Sequence, residues 1–190
     1  MINYFRPVYP FLIGLGLILW TTTFFKLALL NSLAQLVLFT LVVCIPIWRT
    51  GRMSYVDIGW PWGLVLLGII SFCFSDGYWL RSLIVSSVVI LIGLRMGLGA
   101  LKMWRLGLLE KEFPRYQYQR IVWKEEGKNN TALALQIDAI AQGLANASFL
   151  ALPVFIIASN SSQEFLVLEL VGLVIWILAF AMESLADFQK

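Results

Sequence analysis

The sequence contains 190 residues, of which 60% are hydrophobic and only 13% charged, and its formal net charge is +3. A soluble domain carries roughly 25% charged residues, and lipid must therefore solvate much of a chain this apolar. The absence of histidine excludes histidine-based metal sites and Ser–His or Cys–His dyads. The small positive charge gives no reason to expect nucleic acid as a partner. Composition predicts an all-α polytopic membrane protein with a single transmembrane domain over residues 1–190.

Six apolar stretches can be interpreted as membrane-spanning helices, each of which needs about 20 residues. The first lacks a small-residue cleavage site and the second follows it almost at once, so we expect a retained helix rather than a signal peptide. Membrane lipids are the first partner that such a chain requires. The six stretches are Val8–Phe25, Leu27–Trp48, Val56–Phe74, Leu83–Met103, Ala132–Ala158 and Phe165–Met182.

Positive charge is distributed unevenly between the two sets of connecting segments. Eleven of the 14 Lys and Arg residues fall in segments that a six-span chain places on one side, whereas Lys26 and Arg81 fall on the other. The positive-inside rule then predicts that both termini and the Arg105–Asn130 loop lie on the cytoplasmic-type side.

The Arg105–Asn130 loop is the one sizeable polar segment, and two interpretations of it remain open. It mixes acidic and basic side chains with Phe113, Tyr116, Tyr118 and Trp123. It could be a membrane-surface loop that aromatic and lysine side chains anchor at headgroup level. The alternative, which this loop alone favours less, is the rim of a site for an anionic cofactor or substrate.

Polar side chains within the apolar stretches are costly in lipid and usually face a partner or a cavity. Arg95 follows a long apolar run, and we expect it to face the bundle and pair with a carboxylate such as Asp57 or Asp187. Asp138, Gln142 and Asn146 recur every four residues and form one polar stripe. The stripe could line a functional cavity or serve as a hydrogen-bonded seam between helices.

The last apolar stretch carries its own carboxylates. Glu169 and Glu183 share one helical face, while Glu183 and Asp187 stand one turn apart near the end. Asp57, Glu169 and Asp187 lie close enough to predicted interfaces that their carboxylates could merely cap a helix or snorkel to the headgroups. From these patterns alone the chain could be an enzyme, a transporter or an accessory subunit.

Several local motifs resemble the steroid 5α-reductase-like membrane proteins, in particular their bacterial and protist relatives of unassigned function. The segment S-Y-V-D-I-G-W from Ser54 to Trp60 is similar to the S-x-x-D-x-x-W of that family. Arg95 followed by Arg105 resembles its R-L-g…R pattern. Phe113–Tyr116 (F-P-R-Y) resembles its D/E-x-R-Y, with Phe113 where an acid is usual.

Two further motifs complete the resemblance in the same order. Gln142 followed by Pro153 fits the family's Q…P helix, and Glu183–Lys190 (E-S-L-A-D-F-Q-K) is similar to its closing E-x-x-A-D-x-Q-K. The resemblance implies an α-helical membrane oxidoreductase of lipid metabolism that transfers hydride from NADPH to a C=C bond of a lipid-like molecule.

The resemblance also implies roles for individual residues. Glu183 and Asp187 would face the sugar portion of NADPH, and Arg95 or Arg105 would meet its phosphates. Arginine suits phosphate because it binds bidentately. Asp57 would line the substrate cavity or brace the bundle, and Asp138 and Gln142 are further cavity candidates. The resemblance assigns no catalytic residue and no metal ligand.

The family continues beyond this last helix into a part with an R-H-P-N-Y-x-G-E type motif, which this sequence does not contain. Two hypotheses follow. The chain is part of a reductase completed by a C-terminal partner segment, or it is a non-catalytic accessory or structural subunit among other membrane subunits. Under either hypothesis we expect the 190-residue chain alone to bind NADPH weakly.

The predicted topology can be tested with an impermeant thiol reagent. Single cysteines replacing Gln119 and Ser161 are expected to be labelled from opposite faces of the membrane, because five predicted spans precede Ser161 and four precede Gln119. Labelling of both positions from the same face would contradict the six-span arrangement and its orientation.

Overall fold

A computed structural model describes residues 2–188 and contains helices and turns but no β-strand in that range. The predicted all-α class is therefore confirmed. The helices are α1 (Ile2–Phe5), α2 (Tyr9–Trp20), α3 (Phe25–Phe39), α4 (Ile45–Thr50), α5 (Val56–Phe74), α6 (Trp79–Arg105), α7 (Pro114–Glu125), α8 (Thr131–Ala147), α9 (Ala151–Ala158) and α10 (Val167–Phe188). A π-helical turn, Thr40–Cys44, joins α3 to α4, and short 3₁₀ turns occupy Met53–Tyr55 and Leu108–Glu110.

Five continuous helical segments are long and apolar enough to cross a membrane, so the chain is a multi-pass membrane protein. Their apolar character rather than amphipathicity identifies them, because lipid surrounds a spanning helix on most sides. The five segments are Phe25–Thr50, Met53–Phe74, Trp79–Arg105, Thr131–Ala158 and Val167–Asp187.

The first predicted span, Val8–Phe25, has narrower helical bounds in the structure. Its helix α2 has only 12 residues, about 18 Å in length, and is shorter than the five segments above. At its end the hydroxyl of Thr21 bonds the carbonyl of Ile18 at 2.6 Å.

The chain divides into two compact units, Met1–Asn160 and Ser161–Lys190. In the first unit, the residues around α1 lie at the same end as the Arg105–Asn130 loop, because Asn130 N–H donates to the Tyr4 hydroxyl at 2.9 Å. At the opposite end the Lys26 ammonium lies 5.7 Å from the centre of the Phe74 ring. Successive spans of this unit therefore run in alternating directions between a loop end and an opposite end.

The second unit contains α10. At its start the Glu169 carboxylate accepts a hydrogen bond from Leu166 N–H at 2.7 Å. A carboxylate in this position satisfies one of the free N–H groups at a helix N-terminus. This acid therefore acts at least as a cap, which was one of the two interpretations of its position.

Three buried carboxamides join α3, α5 and α8. Gln35 Nε2 donates to Asn31 Oδ1 at 3.1 Å and to the Gly63 carbonyl at 2.8 Å. Asn146 Nδ2 donates to the Trp60 carbonyl at 3.0 Å, and Asn31 Nδ2 donates to the Asn146 carbonyl at 3.1 Å. We call Asn31, Gln35 and Asn146 the amide cluster; it lies near the middle of the spans that supply it.

Glycine is required where the amide cluster meets α5. A β-carbon on Gly63 would lie 2.5 Å from Gln35 Oε1 and closer still to Asn146 Nδ2. Both contacts are shorter than atoms tolerate, so the carboxamides reach the backbone of α5 because this residue has no side chain.

Helices α5 and α6 also approach closely through glycines. A β-carbon on Gly93 would lie 2.6 Å from the Pro61 carbonyl oxygen, and one on Gly97 would lie 3.0 Å from Trp62 Nε1. The GxxxG pattern of α6 is thus a helix-packing surface, as in many membrane proteins.

Substitution of the central glycine tests the role of the amide cluster. Gly63→Ala is expected to lower stability in detergent by about 1–3 kcal/mol, because the added methyl group displaces the carboxamides from α5. Gly16→Ala in α2 is the matched control, since its β-carbon meets nothing within 4 Å. Equal melting temperatures for the two variants would contradict this role.

Candidate functional site

A cluster of charged and hydroxyl side chains occupies the loop end of α5. The Glu112 carboxylate accepts hydrogen bonds from Met53 N–H at 2.9 Å and from the Ser54 hydroxyl at 2.8 Å. It also forms a 2.8 Å ion pair with Arg120 of α7. One carboxylate therefore connects the segment before α7, α7 itself and the start of the span that contains α5.

Local backbone features bring these residues together. Gly51 has a φ of +67° after α4, a left-handed conformation that ends the helix and reverses the chain. Its carbonyl accepts from Arg120, and Arg52 donates to the Leu109 carbonyl at 2.9 Å. The turn between two spans is thus tied to the segment before α7 through Leu109 and to α7 itself through Arg120.

A second carboxylate in the cluster pairs with α7 directly. Asp57, in the first turn of α5, forms an ion pair with Arg115 and accepts from the Tyr116 hydroxyl at 3.0 Å. The Arg115 guanidinium also lies 4.8 Å from the Tyr116 ring centre and 5.6 Å from that of Phe113. These aromatic faces favour the cation. We call Ser54, Asp57, Glu112, Arg115, Tyr116 and Arg120 the loop-end cluster.

The surroundings fix the protonation of the cluster members that lie outside the spans. Burial acts to raise the pKa of Glu112, but the bonds from Met53 N–H, Arg120 and Ser54 outweigh it and hold that pKa below its ordinary value. Burial and the neighbouring Asp57 raise the pKa of Tyr116. Glu112 is consequently ionised near neutral pH, and Tyr116 keeps its proton and acts as a donor.

The sequence-predicted site residues occupy different depths in the first unit. Arg105 is exposed at the end of α6, and Arg95 is half-buried ten residues earlier, about 15 Å away along the helix axis. Asp138 and Gln142 are half-buried on α8. Asp57 is bound to Arg115, so the expected alternative of an Arg95–Asp57 pair is wrong.

The remaining predicted residues lie in the second unit. Glu183 and Asp187 are both on α10 with exposed side chains. The last two positions of the predicted E-x-x-A-D-x-Q-K motif, Gln189 and Lys190, lie outside the described residues.

Sequence reasoning did not select several residues that the structure places in polar clusters. Asn31 and Gln35 stand four residues apart within an apolar stretch, and this helical spacing was the available signal. Glu112 directly precedes Phe113, the position where an acid was expected, but its partners Met53 and Ser54 are 59 and 58 residues away. Such long-range pairing leaves no local pattern.

Comparison with protein families gives one match, to the family described as Protein of unknown function (DUF1295), which covers residues 44–190. The chain belongs to the DUF1295 family. This is a steroid 5α-reductase-like family of unknown function. Comparison with curated proteins and with solved structures gives no match.

The DUF1295 match includes the whole loop-end cluster and begins after Asn31 and Gln35 of the amide cluster. The two sequence motifs that contain Asp57 and Arg115 are 58 residues apart and touch in the structure. The family match agrees with the resemblance noted in the sequence in that DUF1295 is a steroid 5α-reductase-like family of unknown function.

The ionised Glu112 carboxylate makes a prediction about acid stability. Because its pKa is lower in the folded protein, its contribution is present above the ordinary value of 4.5 and is lost as pH falls through the folded value. Glu112→Gln is expected to lower the melting temperature near neutral pH, and the gap to the wild type should close in acid. Thermal melting at several pH values measures both effects.

Glu110→Gln is the matched control, because Glu110 is an exposed glutamate two residues earlier in the same segment. A gap for Glu112→Gln that stays constant across the pH range would show that the hydrogen bonds to Glu112 do not depend on its ionisation.

Proposed function

We propose that this DUF1295 protein is the membrane-embedded part of an NADPH-dependent reductase that reduces C=C bonds in lipid-like substrates. Membership of a steroid 5α-reductase-like family carries the proposal. The loop-end cluster supports it, because Asp57 and Arg115 from two family-like motifs meet at one end of the first unit.

The donor set of the chain has the chemistry that NADPH requires. A guanidinium group can bind phosphate bidentately, and a carboxylate accepts hydrogen bonds from ribose hydroxyls. Arg105 is exposed at the loop end of α6, where solvent-borne phosphates can reach it, whereas Arg95 is set deeper. We therefore favour Arg105 over Arg95 for the phosphates. The family resemblance alone assigns Glu183 and Asp187 to the sugar.

The cofactor supplies the hydride when it is bound, and the protein supplies position and surroundings. A lipid-like substrate would enter from the bilayer rather than from water. Asp138 and Gln142 are half-buried on α8 and are the proposed polar lining of its cavity, with Asp57 at the loop end. Saturation of a C=C bond consumes this hydride and one proton.

A second candidate function is a non-catalytic subunit of a larger membrane complex. The side chains of α10 from Val167 to Ile177 are largely apolar and exposed. Helices with such surfaces associate with lipid or with helices of other subunits. This observation favours the accessory interpretation.

Cofactor titration distinguishes the two functions. If the chain is a reductase component, nicotinamide fluorescence should report saturable NADPH binding that is weak for the 190-residue chain alone and tighter for a form that carries the C-terminal partner segment. Asp187→Ala and Arg105→Gln should each weaken that binding about tenfold or more, because a charge-assisted hydrogen bond contributes roughly 1.5–3 kcal/mol.

Lys26→Gln is the control for loss of positive charge, because Lys26 lies at the opposite end of the first unit. Saturable binding that Asp187→Ala and Arg105→Gln weaken but Lys26→Gln leaves unchanged would support the reductase. No saturable binding, or equal effects of all three substitutions, would favour the accessory subunit.

A further inference from the structure

The inner face of α7 fixes the depth of that helix in the membrane. Tyr116 bonds Asp57 in the first turn of α5, and Arg120 bonds the carbonyl of Gly51 between two spans. Trp123, on the same face, is only 4% exposed. Each contact is made with the end of a membrane span, so α7 lies at the level where the spans meet the lipid headgroups.

Exposed tryptophans mark that level independently. Trp48 is 81% exposed near the end of the span Phe25–Thr50, and Trp104 is 52% exposed at the end of Trp79–Arg105. Tryptophan is enriched at membrane–water interfaces. Both residues lie at the loop end, next to the segments that hold α7.

The outer face of α7 carries exposed apolar side chains. Tyr118 is 66% exposed and Ile121 is 56% exposed, and they stand three residues apart on the face opposite Trp123. Leu106 and Leu108, which connect α6 to this region, are similarly exposed. Exposed apolar side chains thus occur both on α7 and in the segment that follows the end of the span Trp79–Arg105.

Basic side chains flank this apolar surface. Four exposed bases, Lys102, Arg105, Lys111 and Lys124, outnumber the two exposed acids Glu110 and Glu125, and the Glu126 carboxylate is engaged by Lys128 at 2.7 Å. An exposed apolar strip flanked by lysines is the pattern of a helix that lies in the membrane interface. Anionic headgroups complement these charges.

We propose that α7 lies in the headgroup layer and binds an anionic phospholipid surface through Tyr118 and Ile121, with Lys111 and Lys124 contacting the headgroups. The loop-end cluster holds the other face of α7 against the spans. This interaction is separate from the proposed cofactor site and does not require catalysis.

Spin labels on single cysteines test this surface in lipid nanodiscs. Tyr118→Cys and Ile121→Cys are made in a Cys44→Ala, Cys73→Ser background. Leu33→Cys, at an exposed position within α3, is the lipid reference. Asn129→Cys, in the exposed turn before α8, is the water reference.

The spin labels at Tyr118 and Ile121 are expected to be more accessible to oxygen, which is soluble in lipid, than to a water-soluble nickel chelate. The label at Leu33 should show the same order of accessibility, and the label at Asn129 the reverse order. Phosphatidylglycerol in the nanodisc should move both labels deeper than phosphatidylcholine alone does. Lys111→Gln with Lys124→Gln should abolish this shift.

Accessibility to the chelate at Tyr118 and Ile121 equal to that at Asn129 would overturn the proposal. Low accessibility of both labels to oxygen and to the chelate would also overturn the proposal, because it would indicate that another protein chain covers this face of α7. A depth that does not depend on phosphatidylglycerol would overturn the assignment to anionic lipid. None of these outcomes depends on whether the protein binds NADPH.

Discussion

A membrane interior offers no water to hydrogen-bond an exposed amide, and the amide cluster meets this constraint by satisfying most of its polar atoms internally. Gln35 and Asn146 donate to carbonyls of α5, and Asn31 joins α3 to the backbone of α8. These bonds fix three helices relative to one another. The position of the loop-end cluster depends on that arrangement, because α5 supplies Asp57, one of the two carboxylates of the cluster.

The small residues of α5 make the arrangement possible. Without a side chain at Gly63 the carboxamides reach the backbone, and a β-carbon at Gly59 would collide with Val43 of the π-helical turn. That turn also presents the Cys44 carbonyl, which accepts from Gln136 at 2.9 Å. Close approach of the helices and hydrogen bonding between them therefore have one common cause, the absence of side chains along one helix.

Much of the fold could be predicted from the sequence because hydropathy reports directly on lipid exposure. Five of six predicted spans correspond to long apolar helices. The first contains the shorter helix α2, which ends where the Thr21 hydroxyl bonds the Ile18 carbonyl, and a hydropathy average is insensitive to such a bond. The carboxamides of Asn31 and Gln35 were not selected for a related reason, because an uncharged amide in an apolar stretch lowers the mean hydropathy only slightly.

The candidate site was less predictable because its pairs are distant along the chain. The motif around Asp57 and the motif around Arg115 each appeared in the sequence, but nothing local indicated that they touch. Glu112 lies one position from where the family pattern carries its acid, and in the structure its carboxylate binds the start of the span Met53–Phe74. The chain thus retains an acid in this segment although Phe113 replaces the usual one.

The division between charged and uncharged polar groups bears on where chemistry can occur. The amide cluster contains no titratable group, so it can accept a hydrogen bond from a substrate but cannot deliver a proton. Its open acceptor is Asn146 Oδ1, which has no hydrogen-bond partner in the described part of the chain.

The loop-end cluster, unlike the amide cluster, contains charged side chains. It lies at the end of the spans, where ion pairs such as Arg115–Asp57 cost less free energy than they would at the bilayer centre. The proposed reduction needs both a hydride and a proton, and we propose that it takes place at a depth between the two clusters. Asp138 and Gln142 of α8 occupy that depth, since they follow the loop end and precede Asn146 along one helix.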